Sequence, residues 1–326
     1  MKARILRALR QSDGYVSGQE LCEQLQVSRT AVWKKIRQLQ EEGYEIEAVT
    51  NRGYRILSTP ENMSAEEIES RVQTGWIARS VEYLERIDST NQYAKKRAEE
   101  KCPEGLLVVA DEQTMGKGRS GRSWSTPPGT NIAMSLVLRP ALAPERISMV
   151  TLVMGLAVAR ACRQLYGLEA GIKWPNDIVV NGRKLCGILT EMCCEILQVG
   201  YIVIGVGINA NLTEFPEEIR KTATSLELEL GHPINRAELI AAVMEHFEEA
   251  YEAFIRCSDL SALQEEYNAL LVNRDRAVRV LEPGHEYTGT AQGIDAAGNL
   301  LVRRDDGELT RVYAGEVSVR GIYGYI

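Results

Sequence analysis

The sequence is poor in the residues that most often carry nucleophilic or zinc chemistry. It has three histidines, His232, His246 and His285, and none lies beside a plausible Ser or Cys nucleophile. Its seven cysteines contain no C-x-x-C pair, and Cys193 and Cys194 are adjacent, which suits neither a disulfide framework nor a zinc site. A loop of the form G-x-x-x-x-G-K-[ST] is also missing. These absences argue against a catalytic triad, a zinc site and a P-loop.

No apolar run reaches the length of a membrane helix, and no secretory leader precedes the first predicted helix. We therefore expect a cytoplasmic protein with no membrane partner, in a compartment that keeps its thiols reduced. Charge is unevenly distributed, because residues 1–57 carry 10 Lys and Arg against 7 Asp and Glu, whereas the remainder carries 28 against 38. A basic head on an acidic body indicates a different partner for each.

The first 60 residues have the pattern of a winged helix-turn-helix. Apolar spacing marks three helices, Ser17 and Ser28 stand at N-cap positions of the second and third, and a hairpin around residues 51–53 forms the wing. A helical docking domain with a solvated polar face is the alternative. A net charge of +3 is modest, so we expect specific operator binding to need a dimer. The residues expected to meet DNA are Ser28, Arg29, Thr30, Trp33, Lys34, Lys35 and Arg37.

A strongly basic loop at residues 116–124 lies between two predicted strands. Three glycines alternate with cations there, so that backbone N–H groups can approach an anion while Lys and Arg add charge. Trp124 offers a ring on which a purine can stack. The letters also read G-x-G-x-x-G, but residues 125–129 contain two prolines and cannot open the helix that a dinucleotide site needs. A solvated loop, or one that touches nucleic acid, is the alternative.

Two further stretches carry polar groups that suit a small ligand. Residues 88–91, D-S-T-N, begin a helix whose free N–H groups and the hydroxyls of Ser89 and Thr90 can hold such a ligand. Plain helix capping is the alternative. Residues 205–209, G-V-G-I-N, end a buried strand with two glycines that permit close approach, and Asn209 is the polar contact there.

The motif K-W-P-N-D, beginning at Lys173, leads into a hairpin with an Asn-Gly turn. A two-residue turn pairs Val179 with Lys184 and Asp177 with Cys186. Asp177 and Lys184 then share one face of the sheet, and Lys173 has the same parity. Two lysines and a carboxylate on one face indicate an anion site in which Asp177 holds Mg²⁺ among phosphates. A solvent-exposed face is the alternative.

The remaining pattern completes an α+β protein. An apolar helix is predicted over residues 144–167, and two packing helices over 235–257 and 259–271. Residues 213–224 form either a mobile lid or a plain surface loop. From residue 276 onward, short strands separated by Gly- and Asp-rich turns predict a small β-barrel.

Six features follow one another along the chain. They are the winged helix, the helix capped by Ser and Thr, and the motifs G-K-G-R-S-G-R-x-W, K-W-P-N-D, N-G-x-K-L-x-G-I-L and G-x-G-I-N. With the terminal barrel, they closely resemble the bifunctional biotin protein ligases that also act as biotin operon repressors. The resemblance covers nearly the whole chain. Lys117 stands where the family usually has arginine, which keeps the charge and loses the planar fork. The repressor role rests on the head, because single-function ligases of the family lack it.

The resemblance implies a winged helix-turn-helix over residues 1–60, a mixed-sheet α/β ligase domain over 61–273 and a small SH3-like β-barrel over 274–326. It implies that ATP, with Mg²⁺, and biotin form biotinyl-5′-AMP and pyrophosphate. Biotin is then transferred to a lysine of a biotin carrier protein domain. It also implies biotin-responsive repression at operator DNA by a homodimer.

The matching positions imply individual roles in that reaction. The residues expected around the biotin rings are Ser89, Thr90, Asn91 and Gln113. Those expected around the valeryl carboxylate and the adenylate phosphate are Lys117, Gly118, Arg119 and Lys184, with Arg119 and Lys184 catalytic. The residues expected to bind ATP or the adenylate are Arg119, Arg122, Trp124, Lys173, Asn176 and Asn209, with Asp177 for the metal.

Two other functions remain as alternatives. A lipoate or octanoate ligase shares the central architecture, although K-W-P-N-D and the arginine-rich glycine loop argue against it. A ligand-sensing repressor without catalysis is the second. Adenylation brings a carboxylate up to another anion, so it needs positioning and fixed positive charge and no protein nucleophile, which agrees with the scarcity of histidine.

Overall fold

The chain divides into two compact units, Met1–Gln73 and Thr74–Ile326. The structure, a computed structural model, describes residues 1–60, 63–195, 198–282, 285–313 and 318–321. Two residues of the predicted linker, 61 and 62, lie outside this part of the chain.

The first unit is a helical head with a two-stranded wing and a fourth helix. Its elements are α1 (Lys2–Arg10), α2 (Gly18–Leu25), α3 (Arg29–Glu41), β1 (Glu45–Val49), β2 (Gly53–Ser58) and α4 (Ala65–Arg71). The predicted caps are confirmed, since Ser17 accepts a hydrogen bond from the Glu20 amide and Ser28 from the Ala31 amide. The buried faces of α1, α2 and α3 pack with the strand residues into one apolar core. The predicted winged helix-turn-helix is therefore present.

Helix α4 packs on α1 inside this unit. The buried Glu67 carboxylate on α4 accepts hydrogen bonds from Arg10 at 2.6 and 2.8 Å, from Arg71 at 2.9 Å and from the Tyr44 hydroxyl at 2.8 Å. Arg7 donates to backbone carbonyls at the end of the helix. Removing one partner from a buried ion pair leaves an uncompensated charge, so these bonds fix α4 to the head.

The second unit is built on a seven-stranded mixed sheet in the order β3-β4-β5-β9-β8-β7-β6. Its strands are β3 (Val81–Ile87), β4 (Leu107–Gln113), β5 (Ile132–Leu138), β6 (Gly171–Lys173), β7 (Asp177–Val180), β8 (Arg183–Glu195) and β9 (Gln198–Ile208). Strands β3 and β4 are parallel and are joined through α5 (Thr90–Glu99), whereas the other neighbours are antiparallel. This topology agrees with the predicted mixed sheet.

The helices of this unit cover the sheet. Helix α5 packs on β4, β5 and β9, and the predicted apolar helix is α6 (Ile147–Tyr166), which packs on β6, β7 and β8. The remaining helices are α7 (Leu226–Leu230), α8 (Arg236–Cys257) and α9 (Gln264–Leu270). The last is shorter than predicted, because residues 258–263 form turns. Among the described residues, no helix is both long and apolar enough to cross a bilayer.

A second, five-stranded antiparallel sheet ends the chain, in the order β13-β12-β11-β10-β14. Its strands are β10 (Ala277–Glu282), β11 (His285–Ile294), β12 (Leu300–Arg304), β13 (Leu309–Val312) and β14 (Ser318–Gly321). The predicted terminal β-structure is confirmed as a five-stranded sheet, and because its two outer strands do not pair with each other within the described ranges, closure into a barrel stays a prediction.

Candidate active site

The predicted basic loop lies beside a cavity above strands β8 and β9. Nine of the residues singled out in the sequence line it: Thr90, Asn91, Gln113, Lys117, Gly118, Arg119, Trp124, Asn176 and Lys184. The other lining residues are Gly187, Ile188, Gly205, Val206 and Gly207. Motifs separated by more than a hundred positions therefore meet at one place.

The basic loop folds back on itself. The Trp124 amide donates to the Gly116 carbonyl at 2.9 Å, and the Gly118 amide donates to the Arg122 carbonyl at 2.7 Å. A short 3₁₀ turn, Arg119–Gly121, forms the tip. A Cβ on Gly116 would overlap the Trp124 carbonyl, so this position needs glycine. The loop thus presents its cations from a defined backbone and not from a flexible tail.

Glycines in the sheet make room for the Trp124 indole. A Cβ on Gly207 would overlap the indole ring, and one on Gly187 would lie 3.3 Å from it. The ring also has the Lys184 Nζ 5.8 Å from its centroid, a cation–π contact. The indole N–H is buried without a hydrogen-bond partner among the described residues. An aromatic ring next to a cation suits the base and phosphate of a nucleotide.

Three cations and no carboxylate are among the described residues that line the cavity. Arg119 donates to Asn176 Oδ1 at 3.1 Å. Burial lowers the pKa of Arg119, while the Asp177 carboxylate raises it and the Arg122 cation lowers it further. A guanidinium shift from so high a value leaves Arg119 charged at neutral pH. The cavity therefore carries positive charge that an anionic ligand can neutralise.

The lysine hairpin differs from the prediction in its register. Val179 pairs with Lys184 as expected, but Asp177 pairs with Gly187 and not with Cys186. The reason is a bulge between Ile178 and Val179, which places an extra residue on the β8 side. The predicted meeting of Asp177 and Lys184 is nevertheless confirmed, at 2.6 Å between Oδ1 and Nζ. Lys184 thus enters the cavity from a strand rather than from a loop.

The polar end of the cavity is formed by the start of α5 and the end of β4. The Thr90 amide and hydroxyl donate to Gln113 Oε1 at 2.9 and 3.0 Å. Asn91 lies directly over β9, where a Cβ on Gly205 would overlap its amide. These groups offer both donors and acceptors, which suits a neutral polar ring system.

The predicted ligase-site residues outside the cavity lining are Ser89, Arg122, Lys173, Asp177 and Asn209. Ser89 is buried as the N-cap of α5, Arg122 is exposed on the loop, and Lys173 is buried opposite Asp177 in the register of β6 and β7. Asn209 is also buried and donates to the Thr224 carbonyl at 3.0 Å. In this arrangement Asn209 holds the loop at residue 224.

The chemistry of the residues present gives only partial support for Mg²⁺. Nowhere in the described part of the chain do three or more His, Cys, Asp or Glu residues form a group that could hold a metal. Asp177 is a single carboxylate and already pairs with Lys184. Because Mg²⁺ is often held by one carboxylate and the phosphates of its nucleotide, these residues fit an ion that arrives with ATP.

The head presents the predicted candidate nucleic-acid face on α3. The exposed residues of this face are Ser28, Arg29, Thr30, Trp33, Lys34 and Arg37. Lys35 is half-buried and donates to Gln38 Oε1 at 2.7 Å. The Arg37 guanidinium lies 5.3 Å from the Trp33 ring centroid, and that ring is 50% exposed. A flat ring and cations on one exposed helix face suit a phosphate backbone and base edges.

Sequence reasoning missed three polar residues behind the cavity. Ser135 is fully buried on β5, and Lys95 and Glu191 pair at 2.5 Å. Only Ser135 left a signal, as one hydroxyl in the apolar run I-A-M-S-L-V-L. The other two residues lie 96 positions apart, so their meeting depends on the sheet order.

One unit is a winged helix-turn-helix, and the other has a cationic cavity on a mixed sheet. Together they define a protein in which a head of the DNA-binding type is joined to a domain suited to binding small anionic ligands. Family models agree: residues 83–209 match the Biotin/lipoate A/B protein ligase family, residues 2–55 an HTH domain, and residues 275–320 the Biotin protein ligase C terminal domain.

Whole-chain comparisons are more specific. The chain is 38% identical over 309 residues to the bifunctional ligase/repressor BirA of Bacillus subtilis, covering 94% of each chain. It is 33% identical over 310 residues to BirA of Salmonella typhimurium, covering 95% of each. The chain therefore belongs to the family of bifunctional ligase/repressor BirA proteins. A biotin protein ligase from Aquifex aeolicus, solved in complex with biotin and ATP, is similar with a TM-score of 0.65 and 28% identity, covering 74% of this chain and 99% of that one.

Proposed function

We propose that this chain is an ATP-dependent biotin protein ligase and a biotin-responsive transcriptional repressor. The observation that carries the ligase part is the cavity in which Lys117, Arg119 and Lys184 converge beside Trp124. The family relation and the Aquifex complex with biotin and ATP support the same activity. The winged helix-turn-helix and the family relation support the repressor part.

In the first step, a carboxylate oxygen of biotin attacks the α-phosphorus of ATP, and the bond to the β-phosphate oxygen breaks, releasing pyrophosphate. Lys117, Gly118, Arg119 and Lys184 surround the carboxylate and the adenylate phosphate. Their charge offsets the repulsion between two anions and the negative charge that builds up in the transition state. Arg119 and Lys184 are the catalytic pair.

In the second step, the amine of a carrier lysine attacks the carbonyl carbon of biotinyl-5′-AMP, and AMP leaves. Lys184 approaches the phosphate from β8, on the same face as Asp177. When the adenylate binds, the Lys184 ammonium interacts with its phosphate as well as with the Asp177 carboxylate. Asp177 and the ATP phosphates would hold Mg²⁺, which neutralises phosphate charge when bound.

The remaining roles follow the geometry. Ser89, Thr90, Asn91 and Gln113 receive the biotin rings, with Ser89 acting through the start of α5. Trp124 and Asn176 lie beside the adenylate, and Asn209 holds the loop at residue 224. Arg122 and Lys173 draw the phosphates of ATP toward the site. Since neither lines the cavity, their expected contribution is to nucleotide binding.

The proposal also includes the domain boundaries, the partners and the location of the protein. We assign residues 1–60, 61–273 and 274–326 to the DNA-binding, catalytic and C-terminal domains, although helix α4 of the second range packs on the head, and the last range forms a small SH3-like barrel. The partners are a biotin carrier protein domain, operator DNA and a second copy of the chain. The location is the cytoplasm.

Transfer of radiolabelled biotin tests the ligase proposal. The purified chain is incubated with labelled biotin, ATP, Mg²⁺ and a biotin carrier domain, and a parallel reaction contains labelled lipoate and a lipoyl domain. We expect label on the biotin carrier alone. Label on the lipoyl domain alone, or no label and no pyrophosphate release with biotin, would contradict the ligase activity.

The repressor proposal is tested by a gel shift with operator-containing DNA. We expect biotin and ATP together to tighten binding, because formation of the adenylate favours the dimer that specific binding requires. A shift that is insensitive to both compounds would remove biotin as the co-repressor.

A further inference from the structure

Behind the polar end of the cavity, buried and half-buried side chains form a continuous row of hydrogen bonds. Glu191 on β8 accepts from Asn91 Nδ2 at 2.7 Å and from Lys95 Nζ at 2.5 Å. The hydroxyl of Ser135 on β5 lies 2.6 Å from Asn91 Oδ1 and 2.8 Å from Thr90 Oγ1. The row thus runs from a charged pair at one end to the wall of the cavity at the other.

The charged end fixes the direction of these hydrogen bonds. Asn91 Nδ2 faces only acceptors, the Glu191 carboxylate at 2.7 Å and the Leu189 carbonyl at 3.3 Å. The amide is therefore held with its Oδ1 toward Ser135, whose single hydroxyl hydrogen donates to it and leaves the Ser135 oxygen as an acceptor. The Thr90 hydroxyl hydrogen then has two acceptors, Ser135 Oγ at 2.8 Å and Gln113 Oε1 at 3.0 Å, and points away from the cavity toward one of them.

The result at the cavity wall is a defined pair of groups. Thr90 keeps an oxygen lone pair for an incoming N–H, and Gln113, whose Oε1 accepts from the Thr90 amide, has a second Nε2 hydrogen beside the one that goes to Thr126 Oγ1 at 3.4 Å. One acceptor beside one donor matches the N–H and C=O of a urea ring. A reversed Asn91 amide would leave its oxygen against the Glu191 carboxylate and would make Ser135, which is fully buried, turn its hydroxyl hydrogen to Thr90.

We propose that Glu191, held by Lys95, is a positioning residue that sets the hydrogen-bond polarity of the wall receiving the urea ring of biotin. This inference rests on the proposed ligase function and extends it to three residues, Glu191, Lys95 and Ser135. Glu191 is half-buried behind Asn91 and does not line the cavity. It acts through Asn91 and Ser135.

The test compares two conservative changes that remove one carboxylate each. Glu191→Gln keeps the shape but places an amide between Asn91 Nδ2 and the Lys95 ammonium. Glu82→Gln is the matched control, because Glu82 also pairs with a cation on α5, Arg97 at 2.8 Å, with a side chain 28% exposed against 30% for Glu191. The described hydrogen bonds of Glu82 go to Arg97, which does not line the cavity.

The full-length protein is titrated by calorimetry with biotin and with a thiolane-valeric acid that lacks the urea ring, and KM is measured for biotin and for ATP. For Glu191→Gln we expect biotin binding and KM to worsen roughly 10-fold, the size of one charged hydrogen bond. Binding of the urea-free acid and KM for ATP should change less than about 2-fold. Glu191→Asp should recover part of the biotin affinity, and Glu82→Gln should match the unmodified chain.

Two outcomes overturn the positioning role. One is a Glu191→Gln variant that binds biotin as well as Glu82→Gln does, while the unmodified chain binds biotin normally. The other is an equal loss of biotin, urea-free acid and ATP, which would indicate general destabilisation and not a directed wall. Absence of biotin binding by the unmodified chain would overturn the ligase function together with this inference, so the two failures are distinguishable.

Discussion

In the head, the buried Glu67 carboxylate accepts four hydrogen bonds, from Arg10, Arg71 and Tyr44. In the second unit, by contrast, the cavity brings three cations together, and its described lining residues include no carboxylate. The first arrangement is complete without a ligand. In the second, Lys184 pairs with the carboxylate of Asp177, which is not among the lining residues. Charge that is balanced within the fold stabilises it, while an excess of one sign in a cavity is available to a ligand.

The largest expected effect is on the balanced cluster. Glu67→Ala should lower the free energy of unfolding of the head by about 3–5 kcal/mol, because the half-buried Arg10 and Arg71 would lose the buried anion that they share. Glu42→Ala, which breaks the exposed pair with Lys2, should cost less than about 1 kcal/mol. Hydrogen exchange of α1 and α4 amides in the full chain measures both. Equal protection in the two variants would contradict the distinction.

The same cluster predicts a pH dependence of head stability. Burial raises the pKa of Glu67, but the hydrogen bond and charge of Arg10, followed by Arg71 and Tyr44, outweigh it and lower the pKa below its usual value. A lowered folded pKa contributes stability that is present above the unfolded value and is lost as the pH falls through the folded one. As the pH is lowered, the α4 amides of the unmodified chain should therefore lose protection from hydrogen exchange. In Glu67→Gln this pH dependence should be absent.

The next effect concerns the unbalanced cavity. Lys184→Gln should slow biotinyl-5′-AMP formation by about 10²–10³-fold, because a cation aimed at developing phosphate charge is lost. Lys96→Gln, on the exposed side of α5, is the matched control and should keep the full rate. Pre-steady-state pyrophosphate release measures both. A Lys184→Gln rate within a few-fold of the control would remove Lys184 from the catalytic pair.

Arg119→Ala should have a smaller effect, on retention of the intermediate. Loss of a charged hydrogen bond to the adenylate should raise its dissociation rate roughly 10- to 100-fold. Arg86→Ala, an exposed arginine on β3, should leave the rate unchanged. Filter binding of labelled biotinyl-5′-AMP gives both rates, and unchanged dissociation from Arg119→Ala would count against its role.

The smallest effect is expected on the head surface. The logarithm of the operator-binding constant falls as the logarithm of the salt concentration rises. Lys34→Ala should make this slope shallower by about 0.9, the value for one phosphate contact. Lys2→Ala, on α1, should leave the slope unchanged. A series of gel shifts at increasing salt gives each slope, and equal slopes for the two variants would place Lys34 away from the phosphates.

The head was predictable from local signals, since Ser17 and Ser28 cap the helices whose apolar spacing builds the core. The meeting of Asp177 and Lys184 was predictable from the Asn-Gly turn, but the bulge that moves Asp177 to Gly187 was not, because bulges leave no clear mark in one sequence. The division into three domains and the individual site roles stay predictions.

The network behind the cavity was out of reach for a different reason. Asn91 meets Ser135, 44 positions away, and Glu191, 100 positions away, only because β5 and β8 lie in the same sheet. The sheet order depends on long-range pairing, which local propensity does not encode. Likewise, Asn209 has the position of a ligand contact in the sequence, yet in the fold it is buried against the Thr224 carbonyl.

The most direct test of the cationic cavity is mass spectrometry of the native full-length protein after incubation with biotin, ATP and Mg²⁺, beside Lys184→Gln and Lys96→Gln. The account predicts one biotinyl-5′-AMP bound per chain in the unmodified protein and in Lys96→Gln, and little in Lys184→Gln over the same short time. A protein that stays free of the adenylate, or three samples that accumulate it equally fast, would contradict the account.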